Sequence, residues 1–339
     1  MNTPLISVII PAYNIAQYVE KTIASVLAQT YGRLEVIAVD DGSCDETGKV
    51  LDKLADTDGR LRVIHKENGG VTSARLRGIA EAAGEWIAFV DGDDYIEPQM
   101  YERLLGNALK YDADISHCGY QMVFPHGHVD FYYNTGRLEQ QNRQDGLMAL
   151  LEGTYIEPSL CNKLFHKSVF VNLPHLEKKL QGICNTEDLL MNYYLFRETE
   201  KSVYEDVCLY HYQLRESSAA TSGFSAHKLK DSIKVVRILL KETEDEPAIH
   251  AIVRTRYIRC LIGNATLDCR KESAMIAQCC AESREALRKE LKRVVTEHGI
   301  PAKLKAMALW ASLMPGTYGF VHRLYAKLKG IDRIYSLDK

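Results

Sequence analysis

Two acidic residues one position apart, Asp91 and Asp93, close an apolar run that ends at Val90. On a loop after a buried strand, carboxylates at i and i+2 can face one ligand together. Hard oxygen donors of this kind suit Mg2+ or Mn2+, which keep coordination positions open for substrate phosphates. Such a cation offsets the charge that grows on a departing diphosphate. Standing alone, Asp91-Gly92-Asp93 also reads as an ordinary turn. Its companions change that. Asp40-Asp41-Gly42-Ser43 follows a second apolar run, and the cluster can hydrogen-bond a nucleobase or ribose, or cap the next helix. Tyr13, just past Pro11, offers a flat ring for a base to stack on, or sits half-buried in a core. Arg75 can pair with phosphate or base, or lie on a solvated face. Asn68-Gly69-Gly70 permits close backbone approach or simply turns the chain.

Strands alternating with helices position these residues. Leu5 to Ile10 is a continuous apolar run closed by Pro11, as suits a strand buried on both faces. Val19, Ile23, Val26 and Leu27 recur at helical spacing, and Leu34 to Val39 is a second buried strand. A helix carrying Val50, Leu51 and Leu54, a strand at Leu61 to Ile64, and a helix over Val71 to Ala83 follow. Trp86 to Val90 is the next strand, with Trp86 in the core, and Pro98 fits the first turn of a helix bearing Leu104, Leu105 and Leu109. The class is α/β, with a mostly parallel sheet covered by helices. The three polar clusters, at 11–14, 40–43 and 91–94, all follow strand ends. In open α/β sheets that edge binds ligands.

Farther on, Gln121 to Tyr133 resembles a hairpin around His126-Gly127, helices are expected near Asp145 to Leu151 and Glu187 to Phe196, and Val207 to Leu214 reads as a strand. Beyond Ser225 the chain turns helical. Leu229, Ile233, Val236 and Leu240 form one stripe, Ile249, Val253, Tyr257 and Leu261 another, and a third helix covers Glu272 to Glu297. The expected organisation is an α/β half with the polar clusters over 1–120, a mixed part of the same domain over 121–222, and a helical region over 223–339.

Composition bounds the function. At 339 residues the chain has room for about two domains, and 46% hydrophobic with 26% charged residues excludes disorder and fibrous repeats. Forty-two basic against 45 acidic residues leave −3, which argues against a dedicated nucleic-acid partner. Nine scattered cysteines without C-x-x-C spacing read as reduced thiols of a cytoplasmic protein. The start, with Pro4 and no basic residue before a short apolar run, does not resemble a secretory signal, and no run is long enough for a membrane span.

The string Ser7-Val8-Ile9-Ile10-Pro11-Ala12-Tyr13-Asn14, then Val39-Asp40-Asp41-Gly42-Ser43, Asn68-Gly69-Gly70 with Arg75, and Phe89-Val90-Asp91-Gly92-Asp93-Asp94 resembles the family 2 glycosyltransferases in order and spacing. The resemblance implies a glycosyltransferase A-type fold and a nucleotide-activated sugar, with uracil the implied base. It implies that Tyr13 stacks on the base, Asp41 reads its edge, Arg75 lies near the nucleotide, and Asp91 and Asp93 form the metal motif with Asp93 the direct ligand. Pro11 and Gly92 belong to the same nucleotide-binding set. Weaker similarity follows. Asn162-Lys163-Leu164-Phe165 and Thr186-Glu187-Asp188 look like the acceptor-side pattern of bacterial capsule and polysaccharide transferases, although Cys161 stands where the family often has an aromatic residue. By resemblance Asp188 is the catalytic base; Glu187 and Asp188 are also plausible first-turn acids of a helix. His211 and Arg215 resemble a segment that closes over the donor diphosphate, with His211 touching phosphate or metal and Arg215 gripping phosphate.

These residues point to metal-dependent, inverting transfer of a sugar from a nucleoside diphosphate-sugar to a hydroxyl of a glycan or lipid-linked acceptor. The alternative is a non-catalytic nucleotide-sugar-binding scaffold of a polysaccharide assembly complex. A nucleotidyltransferase needs a Gly-, Lys- and Arg-rich triphosphate loop near the start, whereas Asn14 to Gln29 holds only Lys21 and no glycine. One segment lies outside this chemistry. Pro301 to Gly330 carries Lys303, Lys305, Arg323, Lys327 and Lys329, no acidic residue, and interleaved Leu304, Trp310, Leu313, Phe320, Leu324 and Tyr325. It reads as an amphipathic helix pair on the cytoplasmic face of an anionic inner membrane, or as a cap packing on the catalytic domain or on a homodimer partner.

Overall fold

A computed structural model of the protein describes residues 3–131, 133–153, 155–215, 225–270 and 272–330. They fall into two compact units. The first takes the described residues of 1–150, 155–182 and 191–215; the second takes those of 151–154, 183–190 and 216–339.

The first unit is built on one sheet. Its leading elements are β1 (Ile6–Ala12), α1 (Val19–Leu27), β2 (Leu34–Asp40), α2 (Thr47–Ala55), β3 (Leu61–His65), α3 (Val71–Glu81), β4 (Trp86–Phe89), β5 (Tyr95–Ile96) and α4 (Met100–Tyr111). β1 is buried along its whole length and runs parallel to β2 on one side and β4 on the other. That double burial explains its unbroken apolar run. α3 lies so close to β1 that a Cβ on Gly78 would stand 2.3 Å from Ile9 Cγ2, so only glycine fits there. Helix α4 starts at Met100, leaving Pro98 outside it, and Leu109 is 58% exposed and does not join Leu104 and Leu105 in the core.

The chain continues through β6 (Ile115–Val123), β7 (Val129–Phe131), β8 (Leu138–Asn142), α5 (Arg143–Glu152), β9 (Lys163–His166), α6 (Leu173–Leu180), α7 (Glu187–Arg197) and β10 (Lys201–Gln213). The sheet order is β3-β2-β1-β4-β9-β6-β10-β5, with β7 on β6 and β8 on β10. β6 and β7 form the antiparallel hairpin expected around His126-Gly127. β9 was not legible as a strand. It is only four residues long, begins with a lysine, and lies antiparallel between β4 and β6, so neither alternation nor a long apolar run marks it. Lys163 is buried and its ammonium donates to the carbonyls of Glu157 and Ser159 and to Asn162 Oδ1. The Asn162-Lys163 pair thus ties a loop to the sheet.

The second unit is helical: α8 (Ala226–Glu242), α9 (Pro247–Thr266), α10 (Ala274–Thr296), α11 (Ala302–Leu313) and α12 (Pro315–Lys329). Ser225 and Ser273 cap α8 and α10 through their side chains. The α9 stripe of Ile249, Val253, Tyr257 and Leu261 is buried as expected. On α8 the buried face is Leu229, Val235, Val236 and Leu239, rotated from the expected stripe because the helix packs against both α9 and α10. All nine cysteines are free thiols.

Candidate active site

The sheet edge at the ends of β1, β2 and β4 gathers most of the residues singled out in the sequence. The strand order turns at β1, so the crevice beyond β1 and β4 is a topological switch point. Tyr13 follows β1 with its side chain 48% exposed. Its loop is bound to the one after β2: Asn14 N–H donates to Ser43 Oγ at 3.1 Å, Cys44 N–H to Asn14 Oδ1 at 2.8 Å, and Ile15 N–H to Thr47 Oγ1 at 2.8 Å. An exposed aromatic ring on an anchored backbone is a stacking platform at low entropic cost.

Asp41 is buried and accepts N–H bonds from Gly69 at 3.0 Å and Gly70 at 2.7 Å, together with the Lys66 ammonium. It therefore fixes the Asn68-Gly69-Gly70 turn ahead of α3. Asp40 faces the other way. His65 Nδ1 lies 2.9 Å from Asp40 Oδ2 and Nε2 2.9 Å from Asp52 Oδ1, and these bonds raise the imidazole pKa against the opposing effect of burial. A raised folded-state pKa stabilises the fold fully below the unfolded value, near pH 6.5, and that stability is lost as pH rises through the raised value. His65→Gln is therefore expected to melt below wild type under mildly acidic conditions, with the gap closing toward alkaline pH. Thermal melts across that range check it.

The Asp91-Gly92-Asp93 loop crosses over the end of β1. A Cβ on Gly92 would stand 2.8 Å from the Pro11 carbonyl oxygen and 2.3 Å from Ile15 Cδ1, so the close crossing requires glycine. Thr22 on α1 donates from one hydroxyl toward the carbonyls of Gly92 and Asp94, at 2.8 and 2.7 Å. Arg75, buried on α3, reaches Asp91 Oδ1 at 2.8 Å, and Arg215 Nε reaches Asp93 Oδ2 at 2.6 Å with its Nη2 on the same oxygen. Burial raises the Asp93 pKa, with the Asp91 charge adding to it and Arg215 pulling the other way. Asp94, fully buried, is raised well above the usual carboxylate range by burial and by the charges of Asp93 and Asp91. Its two oxygens accept from the Tyr210 hydroxyl and, at 2.8 Å, from Gln213 N–H. Three carboxylates thus crowd one loop.

Among the described residues, no group of three or more His, Cys, Asp or Glu side chains is arranged to hold a metal ion. Mg2+ and Mn2+ need less than that: one or two carboxylates suffice when substrate phosphates and water complete the shell. The hard oxygens of Asp91 and Asp93, with their mutual repulsion, fit such a cation.

His211 is buried on β10 opposite Tyr95 of β5, against whose ring it stacks with centroids 4.3 Å apart. Its Nε2 lies 2.7 Å from Glu97 Oε1 and its Nδ1 beside Gln121, and burial lowers its pKa. Arg215 also lies over the Tyr18 ring at 5.1 Å. Lys21 Nζ sits 3.4 Å from the Tyr95 ring centroid and 3.3 Å from Gln213 Oε1, with its pKa lowered by burial. Sequence reasoning gave no role to Lys21, Thr22, Glu97 or Tyr210. The antiparallel pairing of β10 with β5 brings in Lys21, Glu97 and Tyr210, and the packing of α1 against the Asp91–Asp94 loop brings in Thr22.

Asp188 belongs to the second unit, half-buried in the first turn of α7. The chain enters that helix through Thr186 at φ 62°, a left-handed conformation uncommon for a β-branched residue. Asp231 of α8, itself buried, holds the approach: its Oδ2 accepts from Cys184 N–H at 2.9 Å and Asn185 N–H at 3.1 Å.

With this geometry in view, comparisons with known proteins are informative. Residues 7–173 match the family model described as glycosyl transferase family 2. The glycosyltransferase GlyG of Streptococcus pneumoniae is 30% identical over 267 residues, covering 76% of this chain and 86% of GlyG. The uncharacterized glycosyltransferase EpsJ of Bacillus subtilis is 45% identical over 117 residues, which span 34% of this chain and 34% of EpsJ. A crystal structure of S. aureus TarS 1-349 in complex with UDP-GlcNAc superposes with TM-score 0.67 at 18% identity, covering 95% of this chain and 91% of that one. The architecture is accordingly the glycosyltransferase A-type implied by the sequence motifs.

Proposed function

The chain belongs to glycosyltransferase family 2, and from that premise we propose that it moves a sugar from a UDP-sugar to a hydroxyl of a glycan or lipid-linked acceptor, with inversion, in the synthesis of a bacterial surface polysaccharide. The observation that carries this reading is the gathering of Tyr13, Asp41, Arg75, Asp91 and Asp93 at one sheet edge, with Arg215 drawn onto Asp93. The UDP-GlcNAc bound to a TarS structure of the same fold favours uracil as the donor base.

In this reading Tyr13 stacks on the base and Asp41 reads its edge, while Pro11 and Gly92 bring two strand ends close enough to hold the nucleotide. Arg75 keeps Asp91 aimed at the diphosphate from within the core. Asp93, with Asp91, would hold Mn2+ or Mg2+, which when bound neutralises charge on the leaving diphosphate. Arg215 closes over the same phosphates, while His211, expected to touch phosphate or metal, is instead held against Tyr95 between Glu97 and Gln121. Asp188 accepts the proton of the acceptor hydroxyl as the new bond forms. One base and, among the described residues, no second carboxylate placed as a nucleophile favour a single in-line displacement, hence inversion.

A panel of UDP-, GDP- and dTDP-sugars, assayed for nucleoside diphosphate release with Mn2+, Mg2+ or chelator, tests the reading. Release from a UDP-sugar that stops with chelator is expected. Tight UDP binding with no release from any donor favours the scaffold alternative. Asp231 supplies a finer test as a positioning residue for Asp188. Asp231→Ala is expected to lower kcat about tenfold or more while leaving donor KM unchanged, because small misplacements of a reacting group are costly. Asp231→Asn, which keeps an acceptor oxygen, should recover part of the loss in the same steady-state assay.

A further inference from the structure

The C-terminal helices of the second unit carry an apolar face that the transfer chemistry does not use. α11 and α12 are joined through Met314 alone. The joint is braced: Trp310 Nε1–H donates to Thr317 Oγ1 at 3.0 Å, and the Trp310 ring meets Tyr318 edge-on with centroids 5.5 Å apart. The inner side of α12 is anchored on α9, where a Cβ on Gly319 would stand 2.5 Å from the Thr266 carbonyl oxygen. On the outer side Phe320, Val321, Leu324, Tyr325 and Leu328 are 43–78% exposed. Positions i, i+1, i+4, i+5 and i+8 share one helical face, an arc of about 140° at 100° per residue. Leu313 and Met314 at the joint are exposed too, as are Leu309 and Trp310 of α11.

Cations border this face on both sides. By the same helical rotation Arg323 and Lys327 fall along one edge of the arc, and Lys329 along the other. Residues 301–330 contain no Asp or Glu. Asp268, outside the segment, pairs with Arg270 at 2.6 Å and lies 3.7 Å from Arg323. A second copy docking face to face would set lysine against lysine with no acid in the segment to answer, an arrangement that costs binding energy. An anionic lipid surface answers both features, taking the apolar arc into the headgroup boundary and the cations onto phosphates. At 15 residues α12 is roughly 22 Å long, short of the roughly 30 Å hydrocarbon core, and no described helix is long and apolar enough to cross a membrane.

We propose that the α11–α12 pair docks the protein flat on an anionic lipid bilayer through Phe320, Leu324, Tyr325 and Leu328, with Lys327 and Lys329 engaging lipid phosphates. Sedimentation of the full chain with vesicles of phosphatidylcholine, with and without phosphatidylglycerol, tests this independently of catalysis. Binding only to the phosphatidylglycerol vesicles, weakened by salt, is expected. The double variants Phe320→Ser/Leu324→Ser and Lys327→Glu/Lys329→Glu should each lower the vesicle partition about tenfold or more. All four side chains are exposed, so unchanged melting temperatures confirm that the fold is intact. Failure of wild type to sediment with phosphatidylglycerol vesicles, equal binding to neutral vesicles, or unchanged binding by both variants overturns the proposal. So does a dimer in light scattering that Phe320→Ser/Leu324→Ser dissolves while wild type ignores vesicles.

Discussion

Asp188→Asn is expected to lower sugar transfer by about a hundredfold to ten-thousandfold while leaving UDP affinity and melting temperature close to wild type. A sugar hydroxyl is a poor nucleophile at neutral pH, and the loss of a positioned base leaves only water to take its proton. The competing explanation of the same residue is structural. Asp188 stands in the first turn of α7, where an acid favours the positive end of the helix dipole by about 0.3–1 kcal/mol. Asparagine keeps the size and an acceptor oxygen but carries no charge, so a purely structural role predicts a slightly lower melting temperature and nearly normal kcat. The two roles move different readouts. Glu187, its neighbour in the same turn, serves as the control: Glu187→Gln removes the same dipole interaction and should keep kcat within a few-fold. Normal turnover by Asp188→Asn would remove the residue from the mechanism and direct attention to another acid.

The parts of this molecule legible in the sequence are those where local pattern and tertiary role coincide. β1 and β2 are buried on both faces, so their apolar runs stand out, and the polar residues after them mark the edge where the candidate site gathers. Gly92 is legible only as part of its motif, since the reason for the glycine, the close approach to the Pro11 carbonyl, lies on a distant segment of the chain. Partnerships between distant segments leave no such mark. The approach of Arg215 to Asp93, and of Tyr210 to Asp94, depends on β10 pairing antiparallel with β5, a strand of two residues with no periodicity to detect. β9 is hidden for a related reason, because Lys163 at its start is satisfied by loop carbonyls that only the folded chain brings near. The α8 stripe shows the limit of periodicity itself. A helix packed on two neighbours buries a wider and rotated face than a single-stripe count implies.

Asp93→Asn separates chemistry from stability in the opposite sense to an ordinary buried mutation. Removing the carboxylate proposed to hold the divalent cation should lower donor turnover about a thousandfold, the scale on which single electrostatic stabilisers of a leaving charge act. The fold, however, should not weaken. Burial is the largest influence on the Asp93 carboxyl and raises its pKa, the Asp91 charge raises it further, and Arg215 only partly compensates. The charged form therefore strains the apo protein. Asparagine removes the repulsion felt by Asp91 and by Asp94, whose own pKa is raised first by burial and then by the charges of Asp93 and Asp91. Arg215 keeps an amide oxygen to bond, and its guanidinium still has the Tyr18 ring at 5.1 Å. The expected result is a melting temperature at or above wild type in chelator, a melting temperature that no longer rises when Mn2+ and UDP are added together, and turnover near background. Wild type should show that rise, because ligands that bind only the folded state stabilise it by mass action. If Asp93→Asn instead kept turnover within tenfold and the full Mn2+-dependent shift, the carboxylate would serve Arg215 alone. The leaving diphosphate would then have to be stabilised by cationic side chains at this edge, with Lys21 and Arg215 the first to substitute.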